Sequence, residues 1–194
     1  NINDEGKWYL DANGYIVSYD GDSKVSTDKL VYVMGVEAPS DLSGYQSVKL
    51  GFSDGTTAIV DVEKSDYANP GTTAKVTEAG NAVTKDTVAS YTVSDNKYTL
   101  KYQGAATAAT LEITKGKPQT IGGATTTTST TFVDLANGAV YTGYGAVPSQ
   151  EVSQYYVYKD GSKAALVFIN STDVKGDSDS TKFFVADEDA YESF

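Results

Sequence analysis

The 194-residue sequence contains no cysteine and no histidine. Ser-His-Asp and Cys-His catalysis are therefore excluded, and so are zinc, haem and iron–sulfur sites that depend on imidazole or thiolate ligands. Without cysteine, no disulfide can cross-link the fold. Acid–base chemistry would fall to Asp, Glu, Lys or Tyr, and oxygen ligands for a hard cation such as Ca²⁺ remain open.

Arginine is absent as well, because all 15 basic residues are lysine, against 26 acidic residues and a net charge of −11. The bidentate guanidinium fork that suits phosphate recognition is therefore missing. The negative charge disfavours both nucleic acid and an anionic membrane surface as partners. No apolar run is long enough to span a bilayer. We expect no nucleic-acid binding, no membrane insertion and no enzymatic activity.

The residues that are abundant are Thr, Ser, Gly, Asn, Asp, Tyr and Ala. This composition is typical of exported all-β surface proteins more than of cytoplasmic enzymes. The first residue is Asn and the only methionine is Met34. We therefore expect a piece of a longer chain or a processed product.

Apolar and polar residues alternate with a period of two along most of the chain, whereas no sustained helical stripe occurs. In "KYTLKY" (97–102), Tyr98, Leu100 and Tyr102 point one way and the lysines and the threonine point the other. The pattern predicts an all-β fold of short strands. These strands are expected near 14–19, 30–37, 45–53, 56–63, 88–94, 97–103, 109–114, 128–134, 153–159, 163–169 and 182–186.

Asp-Gly lies between two strand-like runs in each of two similar segments, "FSDGTTAIVDVE" (52–63) and "YKDGSKAALVFIN" (158–170). Such an aspartate could be a metal ligand or a catalytic carboxylate. A two-residue hairpin loop, however, requires positive φ at its centre, which Asp-Gly adopts with little strain. Asp54-Gly55, Asp160-Gly161 and, by the same reasoning, Asp95-Asn96 are therefore predicted to be hairpin turns.

The stretch 63–86, with Pro70-Gly71 and little alternation, is the best candidate for a linker. It predicts two small antiparallel β units, barrel- or sandwich-like, over residues 1–68 and 74–172. Residues 173–194 would form a tail strand or begin a further repeat. The threonine-rich "GGATTTTSTTF" (122–132) is either an exposed glycosylated or ligand-binding face or an ordinary edge strand or loop.

Candidate binding residues fall in two places. "GDSDST" (176–181) spaces acidic and hydroxyl oxygens as calcium prefers, so Asp177 and Asp179 are the candidate metal ligands, and calcium is the one cofactor considered. "YTGYG" (141–145) predicts an aromatic loop flanked by glycine, which makes Tyr141 and Tyr144 candidate sugar-binding residues. A Lys–Asn or Lys–Asp isopeptide crosslink is a further possibility that the sequence does not locate.

Several phrases together, among them "YQSVKLGFSDGTTAIVDVEKSD", "FVDLANGAVYTGYGAVPS" and "YYVYKDGSKAALVFIN", resemble the β-rich C-terminal regions of S-layer-type surface proteins of gut Firmicutes. The resemblance implies a non-catalytic, extracellular, cell-wall-associated module with a structural or adhesive role in a Gram-positive bacterium. Its partners would be the cell wall, neighbouring surface-protein chains or glycans. The alternative is a carbohydrate-binding module of an exported glycan-degrading protein.

Overall fold

The computed structural model describes residues 7–10, 16–20, 25–38, 45–66, 74–75 and 82–174. Within these residues the fold is all-β, with a single 3-10 turn at Thr27–Lys29. The strands are β1 (Lys7–Leu10), β2 (Ile16–Asp20), β3 (Leu30–Val36), β4 (Gln46–Phe52), β5 (Thr57–Asp66), β6 (Ala74–Lys75), β7 (Thr87–Ser94), β8 (Lys97–Ala105), β9 (Leu111–Ile113), β10 (Thr120–Ile121), β11 (Ala124–Thr125), β12 (Thr131–Asp134), β13 (Ala139–Thr142), β14 (Gln150–Asp160) and β15 (Lys163–Val174).

The alternating pattern predicted most of these strands correctly, with limits that agree within a few residues. The strands that it missed are short: β6, β10 and β11 have two residues each, and β1 and β13 have four. Segments of two to four residues are too short to show a clear alternation of apolar and polar residues. The strand expected near 182–186 and the tail 175–194 lie outside the described residues.

Five strands close into a barrel in the order β4-β3-β7-β8-β5, with β5 returning to pair with β4. Its interior is filled mainly by aliphatic side chains that alternate along the strands. The fully buried residues of this cluster are Val31, Val33, Val48, Leu50, Val62, Val83, Ala89 and Leu100. The barrel therefore has a core of its own, built from every one of its five strands.

The second large sheet is a curled half-barrel arranged around β15. On one side, β15 pairs antiparallel with β14 over most of its length, and on the other side it pairs in parallel with β11 and β12. Its concave core contains Ile113, Ile121, Ala124, Phe132, Val147, Val152, Ala164, Val167 and Ile169. A separate two-stranded sheet consists of β1 and β2.

A third cluster of buried side chains joins the two large sheets, and we call it the shared core. It consists of Leu30, Tyr32 and Val88 from the barrel and Val133, Leu166 and Phe168 from the half-barrel. The rings of Tyr32 and Phe168 meet here at 5.9 Å between centroids. Burying each such side chain contributes about 1.5–3 kcal/mol relative to leaving it in water. The two sheets are therefore joined by the packing of buried side chains as well as by the covalent chain.

The prediction of two β units is confirmed, but one of its details differs from the structure. The sheets are not wholly antiparallel, because β5–β8, β11–β15 and β12–β15 are parallel pairs. The domain limits expected at 68 and 74 stay a prediction, and the strands of the barrel are now known from their pairing. Strands β7 and β8 pair with β3 and β5, so the barrel takes its strands from both sides of the predicted linker.

The three predicted hairpin turns are present. Gly55 and Gly161 have φ values of 83° and 59°, and Asp95 and Asn96 have 51° and 60°. The carboxylate of Asp54 accepts hydrogen bonds from the backbone N–H of Thr56 at 2.9 Å and from its hydroxyl at 2.6 Å. These bonds lower the pKa of Asp54. The aspartate therefore stabilises the turn.

The Asp54-Gly55 turn also contacts the other sheet. A Cβ added at Gly55 would clash with the carbonyl oxygen of Gly138, which belongs to the turn between β12 and β13. At Gly161 the space around the same added atom is open, with nothing within 4 Å. The two similar Asp-Gly segments therefore both form hairpin turns, but residues 53–56 connect β4 to β5 whereas only residues 161–162 connect β14 to β15.

We predict that Gly55→Ala destabilises the protein far more than Gly161→Ala does. Both changes force an alanine into positive φ, which costs about 1–2 kcal/mol. Only Gly55→Ala adds a clash with the neighbouring backbone, which brings the total loss to about 3 kcal/mol or more. Urea unfolding of both variants measures the difference. Equal losses would contradict the contact between the two turns.

Candidate functional site

A small cleft opens beside the shared core, where the two sheets meet, and we call it the inter-sheet cleft. Its volume is about 170 Å³. The lining residues are Tyr32, Met34, Lys85, Asp86, Leu135, Gln154 and Asn170. The two amides lie opposite each other, because Gln154 of β14 is the cross-strand partner of Asn170 of β15. Carboxylate, ammonium and amide groups therefore surround one small polar space.

Asp86 holds the barrel side of this cleft in place. Its backbone N–H donates to the carbonyl of Val33, and its own carbonyl accepts from the N–H of Ala106. Its φ is 61°, a left-handed conformation that Asp tolerates better than most residues. Its carboxylate accepts a hydrogen bond from the Tyr32 hydroxyl at 3.2 Å. The residue thus connects β3 to the segment that follows β8, and it holds the side-chain hydroxyl of a core tyrosine.

Two tyrosines beside the shared core have raised pKa values. Burial is the main cause for Tyr32, and the neighbouring Asp86 adds to it. Burial also raises the pKa of Tyr156 to about 12, with smaller contributions from Tyr158 and Tyr102. The Tyr156 ring packs so closely over Gly104 that an added Cβ there would lie 2.6 Å from it. Both hydroxyl groups therefore stay protonated at pH values at which an exposed tyrosine would already be ionised.

A larger surface groove runs along the outside of the barrel, and we call it the β7–β8 groove. Its volume is about 390 Å³. Most of its lining residues are Ser, Thr or Lys, but most of the surface that they expose in the groove is apolar. Its floor comes from the outward side chains of two cross-strand pairs, Ser90–Lys101 and Thr92–Thr99. The 3-10 turn and the residues just before it form one wall. The lining residues are Val25, Ser26, Lys29, Ser90, Tyr91, Thr92, Thr99 and Lys101.

Tyr91 is the aromatic residue of this groove. Pairing between β3 and β7 stops at Leu30 and Ser90, so Tyr91 lies where β7 continues past its neighbour. The Lys29 ammonium lies over the ring, 5.4 Å from its centre. Phe52 and Tyr98 pack against the ring from within the barrel, with centroids 5.6 Å and 5.7 Å away. These contacts place the ring between the barrel core and Lys29 of the groove wall.

A third depression, the β5–β8 notch, lies between the first half of β5 and the tip of the β7–β8 hairpin. It has a volume of about 300 Å³ and is lined by Ile59, Val60, Asp61, Val93, Asn96 and Tyr98. It exists because β8 pairs with β5 only from Val62 onward. Ile59 is 76% exposed here and Val93 is 49% exposed.

The notch has an ordered polar rim. Lys97 lies 3.4 Å from the carboxylate of Asp61 and 3.8 Å above the centre of the Tyr45 ring. Both lysine and aspartate are more than a third exposed, so the ion pair contributes little to stability. The ion pair connects the tip of the β7–β8 hairpin to β5.

The two tyrosines predicted to bind sugar lie elsewhere. Tyr141 is half-buried and packs against the half-barrel core, where burial and the charge of Asp134 raise its pKa. The backbone N–H of Tyr144 donates to Thr127, and its carbonyl accepts from Gly116. Neither residue lines any of the three depressions described above. Their role in binding stays a prediction.

The calcium prediction cannot be compared with the structure, because Asp177 and Asp179 lie outside the described residues. Over the part of the chain that is described, no group of three or more acidic side chains could hold a metal ion. Asp134 is fully buried, but its carboxylate accepts bonds from Asn137 and from the hydroxyl and backbone N–H of Ser171. Its role is to tie the turn after β12 to β15.

The threonine-rich segment has a structural explanation in part. The hydroxyl of Thr130 is fully buried and donates to the carbonyl of Ala164 at 2.7 Å, while it accepts from the N–H of Thr127. The hydroxyl of Thr126 accepts from the N–H of Gln119. These side chains satisfy backbone groups around the β11–β12 connection.

The groove and cleft residues were missed because they come from distant parts of the chain. A signal for the cleft was present, since "LVYV" (30–33) and "ALVFI" (165–169) are continuous apolar runs within an otherwise alternating sequence. Such runs indicate strands buried on both faces. The sequence signal for the groove is weaker. Ser, Thr and Lys residues alternate with Tyr91 and Leu100, which indicates only that one face of these strands is polar.

No family model, no curated protein and no solved structure matches this chain. Among the described residues, no helix has the length and apolar character needed to cross a membrane.

We predict that the protein loses stability between pH 10 and about pH 12 through Tyr32 and Tyr156. Both folded-state pKa values are raised above the ordinary value of 10. Their contribution is therefore complete below pH 10, where the unfolded tyrosines are also neutral. It is lost as pH rises, because the unfolded chain releases these protons first. Thermal unfolding at pH 9, 10, 11 and 12 measures the loss.

The double variant Tyr32→Phe/Tyr156→Phe should show a smaller fall in melting temperature over that range. Tyr144→Phe is the control, because it removes a tyrosine hydroxyl away from the shared core. An equally steep fall in the double variant would contradict the assignment.

Proposed function

We propose that this chain is a non-catalytic adhesive module of an exported bacterial cell-surface protein, and that it contacts glycans through the β7–β8 groove. The observation that carries the proposal is the lining of that groove. Four hydroxyl-bearing side chains, Ser26, Ser90, Thr92 and Thr99, surround a mainly apolar surface that includes Tyr91. Sugars present both CH-rich faces and hydroxyl groups, so they match such a surface.

The position of the groove suits adhesion. It lies on the outer face of a closed barrel whose other side packs against the half-barrel through the shared core. Strands on both sides of the floor are fixed by the ladder between β7 and β8. A ligand would therefore meet a surface that is already formed, which lowers the entropic cost of binding. The acidic, cysteine-free composition supports an exported location.

The same groove would serve a carbohydrate-binding module of an exported glycan-degrading protein. The two roles differ in what adjoins the module in the parent chain. A catalytic domain beside this one would favour the second role, and wall-anchoring repeats would favour the first.

A structural role through contacts between copies is a second candidate function. Ile59 and Val93 favour it, because large apolar side chains this exposed mark interaction surfaces when they lie together. They flank the β5–β8 notch, where the first half of β5 has no β8 neighbour. A molar mass that rises with concentration in analytical ultracentrifugation would support this candidate.

We predict that the double variant Thr92→Ile/Thr99→Ile loses about tenfold or more in affinity for the glycan that the protein binds. The change keeps β-branched side chains on the strands but removes two hydroxyls and narrows the groove, and each lost hydrogen bond is worth about 0.5–1.5 kcal/mol. Binding to immobilised neutral and acidic polysaccharides, measured by biolayer interferometry, is the readout.

Thr131→Ile/Thr142→Ile is the matched control, because these residues form the same kind of cross-strand threonine pair in the half-barrel. The control should bind like the unmodified protein. Retention of full affinity by the groove variant, or an equal loss in both variants, would contradict binding in the groove. Absence of binding to every polysaccharide would overturn the proposed function.

A further inference from the structure

The β7–β8 groove carries positive charge in a strongly negative protein. Lys29 and Lys101 both line it, and no acidic side chain among the described residues does. Asp28 precedes Lys29 in the 3-10 turn but is not part of the lining. With a net charge of −11 for the whole chain, this local excess of ammonium groups is a departure from the rest of the surface.

The two lysines belong to different structural elements, so they lie on different sides of the groove and not in one row. Lys29 comes from the wall, at the end of the 3-10 turn, which is closed by a hydrogen bond from its N–H to the Ser26 carbonyl at 2.9 Å. Lys101 comes from the floor, opposite Ser90 on the ladder between β7 and β8. A ligand in the groove would therefore meet ammonium groups from two directions.

Resting on the proposed function, we infer that the groove recognises an acidic saccharide, one whose pyranose rings carry carboxylate groups. The apolar lining of the groove takes the CH face of a sugar ring, and the hydroxyls of Thr92 and Thr99 bond to its hydroxyls. Lys29 and Lys101 pair with the carboxylates through charge-assisted hydrogen bonds.

Other anionic polymers fit these features less well. A polyol phosphate lacks the ring face that the apolar lining requires. An acidic peptide offers carboxylates but no array of vicinal hydroxyls for Ser26, Ser90, Thr92 and Thr99. Phosphate recognition also favours the arginine fork, and the chain contains no arginine. The volume of about 390 Å³ is of the order that small-ligand sites have.

The test is isothermal titration calorimetry with four probes: a trigalacturonate, the neutral trisaccharide of galactose with the same linkage, a glutamate hexapeptide and a glycerol phosphate oligomer. The trigalacturonate should bind at least about tenfold more tightly than the neutral trisaccharide at about 50 mM salt, and the difference should shrink at about 300 mM salt.

Two double variants locate the effect. Lys29→Gln/Lys101→Gln should lose about tenfold or more in affinity for trigalacturonate, with little change for the neutral trisaccharide. Lys49→Gln/Lys159→Gln changes the net charge equally at two exposed lysines outside the groove, and it should stay within about twofold of the unmodified protein. Circular dichroism melting of each variant confirms that it is folded.

Each contrary result identifies what is wrong. Equal losses in the two double variants would mean that net charge alone attracts the sugar, and would overturn the inference. Tighter binding of the peptide or the glycerol phosphate oligomer would also overturn it. Neutral and acidic trisaccharides that bind equally, with both lost in Thr92→Ile/Thr99→Ile, would overturn the inference and leave the proposed function standing. If no saccharide binds, both fail.

Discussion

The packing of β3 against β15 is the constraint on which the rest of the structure depends. Each strand is buried on both faces: Val31 and Val33 of β3 fill the barrel, while Leu30 and Tyr32 enter the shared core. In β15, Val167 and Ile169 fill the half-barrel, while Leu166 and Phe168 enter the shared core. A chain without disulfides thereby joins its two sheets through side-chain packing, to which the backbone bonds between Thr107 and Tyr155 add.

The three depressions described above lie where core packing or strand pairing ends. The inter-sheet cleft lies where the shared core ends and polar residues such as Asp86 and Asn170 take over. The β7–β8 groove exists because β7 pairs with β3 only as far as Ser90, which exposes the strand beyond it to the 3-10 turn. The β5–β8 notch exists because β8 joins β5 late, at Val62. The groove and the notch thus lie where one strand extends past its neighbour.

The local part of this fold could be predicted from the sequence. Asp-Gly and Asp-Asn turns have a specific backbone requirement, so the hairpins β4–β5, β7–β8 and β14–β15 could be identified residue by residue. The parallel pairings could not, because they join segments such as 62–66 and 98–101 that no turn connects. A change of composition such as that near Pro70-Gly71 is a local signal, whereas these distant pairings decide which strands belong to which sheet.

The candidate binding surface was harder to predict for a similar reason. The glycines that flank Tyr141 predict an exposed loop, yet Tyr141 packs against the half-barrel core. The groove combines residues 25–29 with residues 90–101, and the sequence gives no indication that a 3-10 turn covers those strands. The double burial of β3 and β15 was visible as unbroken apolar runs, but only the structure shows that the two runs face each other.

The most direct test of the shared core is native-state hydrogen exchange in the variant Phe168→Ala. Removing this buried ring should cost about 3–5 kcal/mol. The amides of Leu50 in the barrel and Ile113 in the half-barrel report on the two sheets. If the shared core joins the sheets into one cooperative unit, the free energy of exchange falls by the same amount at both amides. A fall at Ile113 with no change at Leu50 would show that the sheets unfold independently, and would contradict the account.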